Sequence, residues 1–202
     1  NSSNTNGNNG TEIFVNIRNL IGGNKDDVFS GNELDNQLTG NGGNDRLSGL
    51  AGDDKLFGGE GDDILDGGSG ADILNGDAGT DTVSYASASS GVKLNLFSPS
   101  DGLGDARGDV LTNIEVIVGS NYDDTFVAGG DIYNRTFKGG LGSDTVDFSS
   151  DTGTSGTGIT ASLADTVTVA SGGYAQGAKF ESIENLTGTN LGDKLTGNTL
   201  SN

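Results

Sequence analysis

Between Gly22 and Ser84 the chain repeats one nine-residue unit seven times without an insertion: GGNKDDVFS, GNELDNQLT, GNGGNDRLS, GLAGDDKLF, GGEGDDILD, GGSGADILN and GDAGTDTVS. Glycine opens every unit. Position six is acidic except at Asn36, and position eight is always apolar: Phe29, Leu38, Leu47, Leu56, Leu65, Leu74 and Val83. A unit this short cannot bury an apolar face alone, so its copies must stack on one another. Few folds satisfy that demand. Glycine at fixed intervals breaks helices, and the apolar residues fall in short runs between glycine turns, which reads as all-β. Two units then complete one coil of the stack, because successive turns fall on opposite sides.

Composition sharpens the question. Glycine supplies 37 of 202 residues, the apolar fraction is 31% and the formal net charge is −19. By composition alone this is a disordered polyanion. The strict period contradicts that reading, and the two agree if the chain is disordered without a cation and folded with one. The sequence has no Cys, His, Met or Trp, so thiolate and imidazole metal sites and Ser-His-Asp catalysis are excluded within it. Lack of cysteine suits an exported protein. No apolar run approaches the ~20 residues of a membrane helix, and no signal-peptide pattern is present. Ten scattered basic residues against a strong negative charge argue against a nucleic-acid partner. Without a methionine the chain is expected to be a piece of a longer protein.

Beyond Ser84 a longer repeat appears. NIRNLIGGNKDDVFSGN, NIEVIVGSNYDDTFVAGG and SIENLTGTNLGDKLTGN, from Asn16, Asn113 and Ser182, each place a short apolar strand before a nonapeptide loop. GDAGTDTVSYAS from Gly76 and GGLGSDTVDFSS from Gly139 form a second pair, followed by the apolar strands GVKLNL and GITASL. The expected organisation is an Asn-rich linker and entry strand over 1–16 and a main array over 17–84. A connector coil over 85–118, a second short array over 119–147, another connector over 148–187 and a truncated third array over 188–202 follow.

The chemistry follows from the unit. In GGEGDDILD, Gly58, Gly59 and Gly61 permit a tight turn that aims carbonyl oxygens at one point. Asp63 adds a carboxylate, and Leu65 points inward by strand alternation. Stacking turns at about 4.8 Å places like charges over one another. The predicted stacks are Asp27, Asp45, Asp63 and Asp81 on one edge and Asn36, Asp54 and Asp72 on the other. They repel unless a cation lies between them. A donor set of carboxylate and carbonyl oxygens suits calcium, which accepts 6–8 oxygens in flexible geometry, better than magnesium. Asn36 and Leu34 weaken the second loop, and Lys25 weakens the first. The adjacent pairs Asp53/Asp54, Asp62/Asp63 and Asp123/Asp124 read as loop ligands rather than glycosidase acid–base pairs.

GGxGxD followed by an alternating apolar residue resembles the RTX, or hemolysin-type calcium-binding, repeat. GGEGDDILD and GGSGADILN match in full, GNGGNDRLS and GLAGDDKLF nearly so. The resemblance implies a right-handed parallel β-roll with wider connector coils, several Ca²⁺ ions between successive turns, calcium-induced folding and type I secretion. The implied side-chain ligands are Asp27, Asp45, Asp54, Asp63, Asp72, Asp81, Asp124, Asp144 and Asp193. The implied carbonyl ligands are those of Gly40, Gly42, Gly49, Ala51, Gly58, Glu60, Gly67, Ser69, Gly76, Ala78, Gly139 and Leu141. Glu115 and Glu184, in the NIE and SIE segments, read as solvated or as supporting a ligand rather than as catalytic, with the capping of a calcium site at the edge of a short array as the alternative.

The functional expectation is a calcium-binding, non-enzymatic structural segment of a large secreted or cell-surface bacterial protein of adhesin, surface-layer or filament type. Its partners would be calcium, neighbouring repeats of its parent chain or copies of itself. The alternative is a carbohydrate-binding accessory module of a secreted polysaccharide-active enzyme, with a surface polysaccharide as partner. That reading rests on Tyr85, Phe97, Phe126, Tyr133, Phe137, Phe148, Tyr174 and Phe180, which otherwise pack the connectors, and on Phe57 as the best candidate for an exposed ring.

Overall fold

The computed structural model describes residues 17–129, 134–151, 158–164 and 170–199. The linker expected over 1–16, Tyr133 and the last three residues lie outside them. Among the described residues the chain is built from short strands and three single turns of 3₁₀-helix, with no α-helix. No helix is long and apolar enough to cross a membrane.

Each nonapeptide becomes one turn and one strand. The strands β1 to β8 run Asn19–Ile21, Val28–Asn32, Gln37–Gly42, Arg46–Leu50, Lys55–Glu60, Ile64–Asp66, Ile73–Ala78 and Thr82–Ser84. Strand alternation sends position eight inward and positions seven and nine outward. Leu47, Leu56, Leu65, Leu74 and Val83 are fully buried as a result, with Leu38 nearly so. Pairing is parallel and offset by two units. Leu38, Leu56 and Leu74 stack in register on one sheet, and Leu47, Leu65 and Val83 on the other. Successive units thus alternate between two sheets whose inner faces share one core. Each enclosed leucine contributes about 1.5–3 kcal/mol through removal from water. The result is a parallel β-roll.

The roll changes partners along its length. The next strands are β9 (Lys93–Asn95), β10 (Val110–Thr112), β11 (Val116–Val118), β12 (Thr125–Val127), β13 (Thr136–Lys138) and β14 (Thr145–Asp147). They are followed by β15 (Thr160–Ser162), β16 (Lys179–Glu181), β17 (Asn185–Thr187) and β18 (Lys194–Thr196). The first sheet runs β1-β3-β5-β7-β10 and stops; the second runs β2-β4-β6-β8-β11-β13-β16. A third sheet, β9-β12-β14-β17, starts with β9, and a fourth, β15-β18, starts with β15. Both long insertions therefore do the same thing: each opens a new sheet, then adds a last strand to one old sheet and a further strand to the other. The first coils stack the first sheet against the second, later coils the second against the third.

The interior changes with it. Where the early roll is filled by leucine, the later roll is filled by rings, with Phe126, Phe137, Phe148 and Phe180 buried. Their centroids lie 5.7 Å (Phe126–Phe137), 6.3 Å (Phe137–Phe180) and 6.2 Å (Phe148–Phe180) apart, within the range of favourable ring pairs. Tyr85 is buried as well. Among the described residues the aromatic side chains most open to solvent are Phe97 and Tyr122, at 63% and 49% exposure, whereas Phe57 is only half-exposed.

The core ladder makes a direct prediction. Leu65→Ala empties a fully enclosed position and is expected to cost about 2–5 kcal/mol. Val28→Ala, on a strand at the sheet end and 77% exposed, is expected to stay within about 0.5 kcal/mol of the parent. Urea unfolding in calcium-containing buffer reads both.

Candidate metal centre

The turns stack as closely as the strands. At position six, each side chain reaches along the stack to the main-chain N–H of its equivalent eighteen residues earlier. Asp27, Asp45 and Asp63 donate their N–H groups to Oδ1 of Asp45, Asp63 and Asp81 at 2.7, 2.7 and 2.9 Å. On the other edge, Asn36 and Asp54 donate to Asp54 and Asp72 at 2.7 and 2.8 Å. The two edges are the stacks anticipated from the period. The later roll repeats the arrangement, with Val92 and Asp124 donating to Asp124 and Asp144 and Ile159 to Asp193, all at 2.8 Å.

The irregular coils end the ladders with residues of another kind. Asp81 N–H donates to Oε2 of Glu115 at 2.8 Å, and Asp144 N–H to Oε2 of Glu184 at 2.9 Å. Asp72 N–H donates to Oδ1 of Asp109 at 2.9 Å. Asp109 escapes motif reading because it lies in no nonapeptide. Its other oxygen accepts the Tyr85 hydroxyl at 2.9 Å, with both residues buried.

A second ladder runs outside the first, at position five. Asn44, Asp62 and Thr80 donate N–H to the side chains of Asp26, Asn44 and Asp62 at 2.8, 3.0 and 2.8 Å. Asp53 and Ala71 donate likewise to Asp35 and Asp53 at 3.1 and 3.0 Å. The first member of each adjacent acid pair is thus a coil-to-coil tie. The signal was in the sequence: position five is Asp or Asn until Ala71 and Thr80, the last two units, which only donate.

The second oxygen of the position-six carboxylates divides the loops into two kinds. Oδ2 of Asp45, Asp54, Asp63, Asp72, Asp81 and Asp144 is buried without a hydrogen-bond partner among the described residues. In these same loops position two has a positive φ: 80° at Asn41, 79° at Leu50, 120° at Gly59, 86° at Gly68, 69° at Asp77 and 105° at Gly140. In the remaining loops position two is ordinary backbone, and its N–H closes onto its own position six. Gly23 donates to Asp27 Oδ2 at 2.8 Å, Asn32 to Asn36 Oδ1 at 2.8 Å and Ser120 to Asp124 Oδ2 at 2.6 Å. Six loops are open and three are closed. Opening one costs Leu50, a poor left-handed residue, about 1–2 kcal/mol of local strain. Asp193 is a further case, half-buried and hydrogen-bonded through Oδ1 to the Thr189 hydroxyl at 2.9 Å.

Carbonyls of position one turn toward the orphaned oxygens. A Cβ on Gly40 would meet Asp45 Oδ2 and, at 2.6 Å, the Gly58 carbonyl. One on Gly49 would meet Asp54 Oδ2 and the Gly67 carbonyl at 2.6 Å, and one on Gly58 would meet Asp63 Oδ2 and the Gly76 carbonyl at 2.8 Å. Glycine is needed there for space: the volume beside its Cα is a cradle of oxygens. The position-three carbonyls of Glu60, Ser69 and Ala78 accept N–H bonds from Gly43, Gly52 and Gly61 at 2.9, 3.0 and 2.9 Å. Gly42 and Ala51 enter the same ladder through their own N–H groups, to Gly23 and Asn32 at 3.2 and 3.3 Å. Leu141 is 67% exposed. Among the described residues no three carboxylates gather, so main-chain oxygen must supply most of any coordination shell. Buried oxygens aimed at other oxygens, with no donor among them, fit a hard cation. Lys25 and Leu34, which lack the position-four glycine, form the floor on which Gly43 and Gly52 rest.

Electrostatics point the same way. Burial, followed by the neighbouring carboxylates, pushes Asp72 up to about 7 and Asp45, Asp81 and Asp144 up to about 6. Burial raises Asp54 and Asp63 too. Hydrogen bonds from the coil below oppose the shift without cancelling it. An unfolded aspartate titrates near 3.9, so the ion-free fold binds extra protons between about pH 4 and 7. Its stability is full below the unfolded value and is lost as pH rises through the folded ones. Circular dichroism in chelator is expected to show β-structure gained on acidification from pH 7 to 4. A second test is steric. Gly58→Ala fills one cradle and is expected to remove one bound ion, whereas Gly23→Ala, with nothing within 4 Å of the added carbon, is expected to bind like the parent. Calorimetric calcium titration distinguishes them.

The family model of the RTX calcium-binding nonapeptide repeat, built of four copies, matches residues 21–56 and again residues 48–83. No curated protein matches the chain. The matched residues contain five of the six open loops; the sixth, around Asp144, has the same geometry outside the match. Residues 21–83 therefore belong to the RTX calcium-binding nonapeptide repeat family, and the chain that carries them is a calcium-binding repeat segment.

Proposed function

We propose that this chain is a structural segment of a large secreted or cell-surface bacterial protein, which stays unfolded inside the cell and stiffens on meeting calcium outside. One observation carries the reading. Six buried carboxylate oxygens lack any partner among the described residues, and those of Asp45, Asp54, Asp63, Asp81 and Asp144 share their glycine cradle with a main-chain carbonyl. Such an arrangement is unstable by itself, and a net charge of −19 adds to the repulsion. A divalent ion held by Asp45, Asp54, Asp63, Asp72, Asp81 and Asp144 with position-one carbonyls reverses the balance, so binding energy becomes folding energy. Each open loop would hold one ion. The closed loops of Asp27, Asn36 and Asp124 would hold none while their position-two N–H occupies the carboxyl.

Sites of the ~10⁻⁴–10⁻³ M class common in extracellular modules stay empty at cytosolic calcium levels, which suits export of an unfolded chain. The aromatic residues favour a structural role over a polysaccharide platform: among the described residues, five of the eight rings beyond Ser84 are buried in the core. On this reading 85–118 and 148–187 are joints between arrays, and the chain is a stiff spacer of adhesin, surface-layer or filament type.

Circular dichroism at neutral pH is expected to report little ordered structure in chelator and a cooperative gain of β-structure in millimolar calcium. A spectrum indifferent to calcium overturns the proposal.

A further inference from the structure

Two open loops are completed by residues that belong to no nonapeptide. The loop at Gly76 ends the first array. A Cβ on Gly76 would meet Asp81 Oδ2 and the carbonyl of Asn113, which stands where a repeat would offer its position-one glycine. Above it, Glu115 accepts the Asp81 N–H as a repeat aspartate would. The loop at Gly139 ends the second array in the same way. Its Cα faces Asp144 Oδ2 and the Ser182 carbonyl, and Glu184 accepts the Asp144 N–H. Asn113 and Ser182 share a left-handed backbone with φ of 51°, the strained conformation that turns a residue between two strands. Asp81 and Asp144 are completely buried, and their Oδ2 atoms have no partner among the described residues.

The edge ended by Asp109 is different. Both oxygens of Asp109 are engaged, one by Asp72 N–H and one by the Tyr85 hydroxyl. It closes its ladder without an oxygen to spare. Glu115 and Glu184, both half-buried, carry a carboxylate whose second oxygen has no such hydroxyl on it in the described contacts.

We propose that Glu115 and Glu184 are ligands of two junction calcium sites, Asp81–Asn113–Glu115 and Asp144–Ser182–Glu184, that clamp each array to the coil opening the next sheet. The proposal rests on the calcium reading above and extends it outside the repeat motif. The first copy of the segment carries Arg18 in the glutamate's place, so only the array ends are clamped.

The test uses the whole chain in calcium. Glu115→Gln and Glu184→Gln keep an amide oxygen for the Asp81 and Asp144 N–H groups while removing the charge. Calorimetry is expected to show one ion fewer for each, and two fewer for the double variant. Glu181→Gln, whose side chain only pairs with Lys138 on the surface at 3.0 Å, is expected to keep the parent stoichiometry. Unchanged stoichiometry and affinity in both junction variants overturn the proposal. Should a variant fail to fold, a long-wavelength anomalous map of the parent crystallised with calcium decides. Peaks are expected within ligand distance of Glu115 and Glu184. Peaks at Asp45 and Asp63 without them refute the junction sites alone, and no peaks anywhere refute the calcium reading itself.

Discussion

The fold depends on one carboxylate used twice. The position-six aspartate lends Oδ1 to the main chain of the coil beneath and keeps Oδ2 for the interior of its turn. The first use binds coil to coil, so the stack cannot form without bringing the acids together. The second leaves a buried oxygen that water cannot reach and no protein donor satisfies. Cohesion and repulsion therefore come from the same side chain, and only an added positive charge separates them. A proton provides part of that charge, and burial accordingly raises the carboxyls of these aspartates, to about 7 at Asp72 and about 6 at Asp45, Asp81 and Asp144; a divalent ion provides more and accepts carbonyl oxygens as well.

Backbone conformation decides which loops keep the problem open. Where position two adopts a left-handed φ, its N–H points away and the aspartate stays exposed to the cradle. Where it does not, as at Gly23, Asn32 and Ser120, the N–H neutralises the need for a cation at the expense of the site. Glycine is not required for the open form: Leu50 and Asn41 adopt it, and Gly23 does not. The position-two carbonyl accepts an N–H from the following coil in closed and open loops alike, at Gly23 and Asn32 as at Leu50, so that bond does not select the form.

The irregular coils show how an array is ended without exposing its last turn. Both open a new sheet and bring a glutamate over the last aspartate. They differ in their second cap. The first uses the Tyr85–Asp109 pair; the second has Phe148 and Ala178 in the corresponding places, so hydroxyl and carboxylate disappear together. Neither half is tolerable alone in a dry interior, since an unpaired buried polar group costs about 1–3 kcal/mol.

Sequence by itself determined the period, and with it the parallel stack, the inward leucines, the two acid edges and the hard-oxygen chemistry. These are local: each follows from which residue sits at which of nine positions, repeated until no other packing fits. Only the tertiary structure decided how the array ends and which loops stay open. Asp109, Glu115 and Glu184 reach their ladders from 34 to 40 residues away, and no period links them to the aspartates they cap. The orientation of the peptide at position two is likewise not read from its own residue type, since Asn41 and Leu50 open and Gly23 does not. The aromatic residues followed the same rule. That most of them gather beyond Ser84 was plain, but whether Phe137 filled a core or Phe57 faced solvent depended on which sheets the coils brought face to face.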